Sequence, residues 1–187
     1  MSQQDVVRIP FERKGPASRR RRLDDRIVVR APVLAQLTAA LAFGLPRRST
    51  LRRRLLLFLT RRASAAVERA DLELLMRVMY HPAAELRFAG RFADFDQTYR
   101  GREAAFAAYR AWIDSWEEYR REPKEIVDLG DRVLVLVRES GRGTGSGTPT
   151  EAQIAMLLTF RRGRVVKHQE FFGWDEALET FGLSGHR

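Results

Sequence analysis

The chain has 187 residues, 44% of them apolar, enough for one domain with a sizeable core and too few for two full ones. It has no cysteine, which excludes disulfides, a thiolate nucleophile and cysteine-held zinc or iron–sulfur sites. The net charge of +10 is uneven: residues 1–62 hold sixteen basic and four acidic side chains, or +12, and residues 63–187 come to −2. Of the 34 basic residues, 31 are arginine, a bias that high-GC coding produces without any selection for binding.

The first ten residues lack the apolar run of a secretory signal. The arginines at 19–22 lead into Leu23-Asp24-Asp25, which is no export segment either, so a cytoplasmic location is expected. Residues 11–25, with Gly15, Pro16 and four consecutive arginines, read as a flexible arm. Residues 31–45, APVLAQLTAALAFGL, read as a buried or interfacial helix shorter than the ~20 residues that span a bilayer. Pro46 ends it, and Ser49 or Thr50 suits the N-cap of the next helix. There Leu51, Leu55, Phe58 and Leu59 recur at helical spacing, with Arg52, Arg53, Arg54, Arg61 and Arg62 mostly between them, which predicts an amphipathic helix with a basic face.

Residues 1–62 thus make an Arg-rich N-terminal extension with two helices. Three uses compete for the pair. Its apolar faces can pack on the outside of the domain or across a homodimer interface, with the arginines as a solvated rim. It can attach peripherally to an anionic membrane. Nucleic acid is the weakest reading, because the segment's only aromatics are Phe11, Phe43 and Phe58, the last two on apolar stretches.

Residues 63–187 read as one folded domain. Val67, Leu74, Leu75, Val78 and Met79 predict a first helix from Ala63 to Tyr80, which Pro82 ends near His81. A second helix follows Gly101, with Phe106, Tyr109, Trp112, Ile113 and Trp116 on one wide aromatic face. Asp94, Asp96 and Tyr99 precede it as a candidate lid. Period-two alternation then marks strands. In Arg132–Glu139, Val133, Val135 and Val137 oppose Leu134, Leu136 and Arg138; in Gln153–Phe160, Ile154, Met156, Leu158 and Phe160 share a face. In Val165–Phe172, Val166, His168, Glu170 and Phe172 point toward the helices. The four alternate glycines of GRGTGSGTPT, residues 141–150, lack the Lys-Ser/Thr ending and following helix of a phosphate loop and read as a hairpin connection. No GxSxG elbow occurs, and His81, His168 and His186 lack HxH or HExxH spacing, so neither metal nor cofactor is expected.

The stretches YRGREAAFAAYRAWIDSW, VDLGDRVLVLVRESGRGTGSG and LLTFRRGRVVKHQEFFGWDEALETFGL resemble the SnoaL-like branch of the NTF2-like superfamily over roughly the last two thirds of the chain. The resemblance implies an α+β fold: a cone-shaped half-barrel in which a curved mixed or antiparallel sheet wraps on helices and encloses a pocket for a hydrophobic small molecule. It implies no single activity, since the superfamily holds isomerases, dehydratases, polyketide cyclases and non-catalytic domains. His168 and Glu170 best match the buried carboxylate or histidine that catalytic members use. Trp112, Trp116, Tyr109, Tyr99, Met156 and Phe172 then line the ligand. Met156 stands where relatives often place a polar residue, and Glu68-Arg69-Ala70-Asp71 departs in part from the family's Asn-Arg-Gly-Asp type turn. Arg138 is placed to reach Glu170 from a neighbouring strand; such an ion pair would keep the glutamate ionised and a weak base. A metal-free isomerase, cyclase or dehydratase-like enzyme and a non-catalytic ligand-binding or dimerising module both fit.

Overall fold

The structure, a computed structural model, describes residues 6–11, 31–69, 71–89 and 98–183. Along the chain run β1 (Val7–Pro10), α1 (Pro32–Gly44), α2 (Thr50–Glu68), α3 (Leu72–Met79), β2 (Tyr80–Ala89) and β3 (Thr98–Arg100). Then come α4 (Arg102–Asp114), β4 (Trp116–Asp128), β5 (Arg132–Gly143), β6 (Pro149–Arg161), β7 (Arg164–Phe172) and α5 (Trp174–Thr180). The strands form one open mixed sheet in the order β1-β4-β5-β6-β7-β2-β3, with β2 and β7 parallel. Helices α2, α3 and α4 cover one face. On the other, α5 closes Leu134, Leu136, Leu157 and Phe171 into a second core with Leu178 and Leu183. Both faces of β5 are covered, as its unbroken apolar run requires.

Several elements depart from the sequence expectation. The helix expected from Ala63 to Tyr80 is two. Helix α2 continues through residue 62 to Glu68, and α3 restarts with the Asp71 side chain accepting a hydrogen bond from the Leu74 amide at 3.4 Å. Trp116 is not helical: α4 ends at Asp114, and Trp116 opens β4. In β7 the inward residue is Val165, not Val166. Thr159 pairs with Lys167 but Phe160 with Val165, so one extra residue bulges out of β7 and reverses the alternation before it. The hairpin reading of residues 141–150 holds, with Gly147 at φ +62 in the turn. The arm at 11–25 lies, apart from Phe11, outside the described residues, and so do Asp94 and Asp96 of the lid.

The N-terminal elements are built into the sheet and its packing. Strand β1 pairs with β4, setting Ile9 opposite Ile126, and both are fully buried with Leu56 of α2 and Val133, Val135 and Val137 of β5. Ser49 caps α2, accepting from the Arg52 amide at 3.4 Å. The buried stripe of α2 runs through Arg52, Leu56, Ala66 and Val67, while Leu51 and Phe58, expected on the apolar face, are half exposed. Arg52, expected on the basic rim, is therefore buried. Its Nε and Nη2 donate to the two Asp128 oxygens at 2.6 and 2.7 Å, and Nη1 donates to the Phe43 and Leu45 carbonyls at the end of α1. One guanidinium thus ties α1, α2 and β4 together through a bidentate, charge-assisted pair.

Candidate functional site

Inside the cone, side chains from β4, β5, β7, α4 and β2 meet around Arg121. Its Nε donates to Glu139 Oε1 at 2.5 Å, and its Nη2 lies 3.2 Å from Glu170 Oε1. Its Nη1 donates to the Tyr109 hydroxyl and lies 3.0 Å from Met156 Sδ. Glu139 accepts further bonds from the Tyr119 hydroxyl at 2.5 Å and from Trp112 Nε1 at 3.3 Å. From Glu170 the line runs on to His168, whose Nε2 is 3.1 Å from Glu170 Oε1, and from His168 Nδ1 to the Tyr80 hydroxyl at 2.6 Å. The His168–Glu170 contact is electrostatic, because Nε2 sits at bonding distance but off the hydrogen-bond direction. Glu170 Oε2 accepts no hydrogen bond from the described protein groups.

Local rules place these groups. His168 and Glu170 are two residues apart on β7 and so share a face. Arg121 lies on β4 between two register shifts, at Glu117/Arg120 and Pro123/Glu125, which bend the strand over the concave side. Tyr80 opens β2 where Pro82 forces the chain from helix into strand, and β2 runs parallel to β7 with Tyr80 opposite Val165.

Two buried carboxylates share one buried cation, and their proton affinities separate. Burial opposes the Arg121 charge, but Glu139 and Glu170 outweigh it and raise the guanidinium pKa. Burial pushes the Glu139 carboxyl up, and the Glu170 charge adds to that against the pull of Arg121. Burial also works to raise Glu170, yet Arg121 and His168 overcome it and hold this carboxyl below the usual value. Glu170 is therefore an ionised group of low basicity. The Tyr80 phenol is pushed far up by burial and by the nearby Glu170 charge, so it keeps its proton.

Beside this network lies a cavity of about 80 Å³ between α2, α3 and the sheet. Pockets for drug-sized ligands measure ~300–1,000 Å³, so a larger guest needs a wall to give. The wall is apolar except for Tyr80, His168, Tyr109 and Arg121 and the small hydroxyls of α2. Of the residues expected at the site, His168, Tyr109 and Met156 reach it. Glu170 stands behind His168. Trp112 packs against Phe88, Trp116 and Phe172, with its indole nitrogen on Glu139, and neither tryptophan lines the cavity. Tyr99 meets Phe88 edge-on at the β3 edge of the sheet and does not line the cavity. Arg138 does not reach Glu170: it is exposed on β5 and pairs with Glu151 at 3.2 Å. The cation on Glu170 is Arg121. His81 is a surface group whose Nδ1 accepts from the Ala83 amide. Sequence reasoning also missed Tyr80, read as a helix end, and Glu139.

The sequence profile of the SnoaL-like domain matches residues 60–168. The chain belongs to the SnoaL-like family. Solved structures agree on the fold of this SnoaL-like protein. An NTF2-like protein of unknown function from Burkholderia pseudomallei superposes with a TM-score of 0.55 at 20% identity, covering 64% of this chain and 92% of that one. TerC, co-crystallised with polyporic acid, gives 0.53 at 18% identity over 80% of this chain and 97% of its own. A protein of ketosteroid isomerase-like fold from Catenulispora acidiphila, in complex with trimethylamine, gives 0.50 at 21% identity over 64% and 88%. The fold is the NTF2-like α+β cone. Among curated proteins, none matches the chain.

Proposed function

We propose that this SnoaL-like protein binds a small, largely apolar carbonyl compound in the cavity and moves a proton on it, the chemistry of a cofactor-independent isomerase, dehydratase or cyclase-like enzyme. The observation that carries this reading is the 2.6 Å contact of the Tyr80 hydroxyl with His168 Nδ1 on the wall of an otherwise apolar cavity. Glu170 lies 3.1 Å behind the other ring nitrogen. With the ring proton on Nε2, beside the Glu170 charge, Nδ1 is the free base and accepts from Tyr80. When a ligand carbonyl enters, the Tyr80 proton turns to its oxygen, and Nδ1 is released to take a proton from the adjacent carbon. Tyr80 then stabilises the enolate oxygen, Glu170 stabilises the imidazolium, and Nδ1–H returns the proton at another atom of the ligand. Glu170 is here a positioning residue and not the base. Its depressed proton affinity fits that division.

The test uses acetone, the smallest ketone with exchangeable α-protons, in deuterated water, with α-proton exchange followed by NMR. The wild-type protein is expected to exchange its α-protons above the buffer rate, His168→Ala to fall to that rate, and Tyr80→Phe to lose on the order of 10²-fold. Exchange no faster than buffer would leave the second reading, a non-catalytic ligand-binding module. The pairing of Glu170 with Arg121 and the small cavity favour that reading.

A further inference from the structure

We propose that the outer face of α1, with the basic cleft beside it, docks on the surface of an anionic lipid bilayer. Val33, Leu34, Leu37 and Leu41 are 57, 51, 60 and 53% exposed, and Val33, Leu37 and Leu41 stand one turn apart in a single row. The other side of α1 supplies Ala39 and Ala42 to the interior, so these side chains form a contiguous exposed apolar face, the kind that marks an interaction surface. Phe58 of α2, 49% exposed, extends the face: it and Leu34 line one apolar groove among α1, α2 and α3.

Cations border this face. The β6–β7 turn presses on α1 so closely that Gly163, at φ +74, has no room for a Cβ against the Gln36 carbonyl. Arg164 donates to Gln36 Oε1 at 2.8 Å, and Gln36 in turn donates to the Val78 carbonyl at 3.2 Å. A cleft lined by Gln36, His81, Arg161, Arg162 and Arg164 opens there, with Arg161 and Arg162 exposed. Across the helical pair, Arg48, Arg53, Arg54 and Arg61 are exposed as well.

Charge decides between occupants. Residues 31–67 contain seven arginines, of which Arg52 is buried on Asp128, and no aspartate or glutamate. A second copy seated on this face would set arginine against arginine, whereas anionic headgroups take the cations while the acyl boundary takes the leucines. No helix among the described residues is long and apolar enough to cross a membrane, so the association is one of surface contact.

The experiment is flotation of the full chain with vesicles of phosphatidylcholine alone and of phosphatidylcholine mixed with phosphatidylglycerol. Binding is expected to the mixed vesicles, weakening as salt is raised. Leu37→Glu with Leu41→Glu, and separately Arg161→Glu with Arg162→Glu, should each reduce it by about tenfold or more. All four side chains are solvent-exposed, so circular dichroism should show both variants folded. Equal binding to neutral vesicles, or undiminished binding by the folded variants, overturns the proposal. So does a homodimer in lipid-free solution that the leucine variant dissociates, or a preference for nucleic acid over the vesicles.

Discussion

Replacing Arg121 by Met is expected to destabilise the fold by about 3–5 kcal/mol at neutral pH, because the guanidinium is the buried cation shared by Glu139 and Glu170. Methionine keeps much of the volume, so the loss arises from two carboxylates left without their counter-charge. The pH dependence separates this cause from packing. In the wild type, Glu170 is depressed, so its contribution is present above the unfolded value of 4.5 and is lost as pH falls through the folded value. In the variant, burial acts on both carboxyls without the opposing cation and raises both. A raised carboxyl favours the fold below the unfolded value and loses that benefit as pH rises through the folded one. Urea unfolding should therefore show the gap between the two proteins closing as pH drops toward 4.5. A loss of equal size at acidic and neutral pH would mean that Arg121 matters for packing alone.

The second large effect belongs to Arg52. Arg52→Met should also cost about 3–5 kcal/mol, since it leaves Asp128 buried without its bidentate partner and strands the Phe43 and Leu45 carbonyls at the end of α1. Arg53→Met, one residue along and exposed, should stay within about 0.5 kcal/mol. The double variant Arg52→Met with Asp128→Asn should lose less than the sum of the two singles, because each single leaves one charge buried alone. Denaturant midpoints decide it: equal losses for Arg52→Met and Arg53→Met would refute the claim that α2 is anchored by this pair.

The two arginines also show where reading the chain stops. Strand alternation set His168 and Glu170 on the inner face correctly, because period two survives in β7 from Lys167 onward. It misjudged Val165 and Val166, where one bulged residue reverses the faces. Strand β4 was not expected at all. WEEYRREPKEIVD alternates charges and polar groups instead of apolar ones and carries a proline, so hydrophobic periodicity is silent on the strand that brings Arg121. Arg52 hid among three consecutive arginines and a leucine-rich run that offers more than one apolar stripe. Its partner, Asp128, is 76 residues away and invisible to local spacing. On α4, Tyr109, Trp112 and Ile113 are buried as expected while Phe106 is only partly so; Trp112, with Trp116 of β4, packs in the cone, and Tyr109 joins Tyr80, from a helix-to-strand junction, on the polar cavity wall.

The most direct measurement is the ¹⁵N spectrum of the His168 ring, with and without acetone. The expected result is a ring whose Nε2 carries a proton, with Nδ1 hydrogen-bonded to Tyr80, and a saturable shift of Nδ1 toward a free nitrogen as the ketone draws the phenol away. A ring protonated at Nδ1 alone, or one whose Nδ1 resonance ignores saturating ketone, would contradict it.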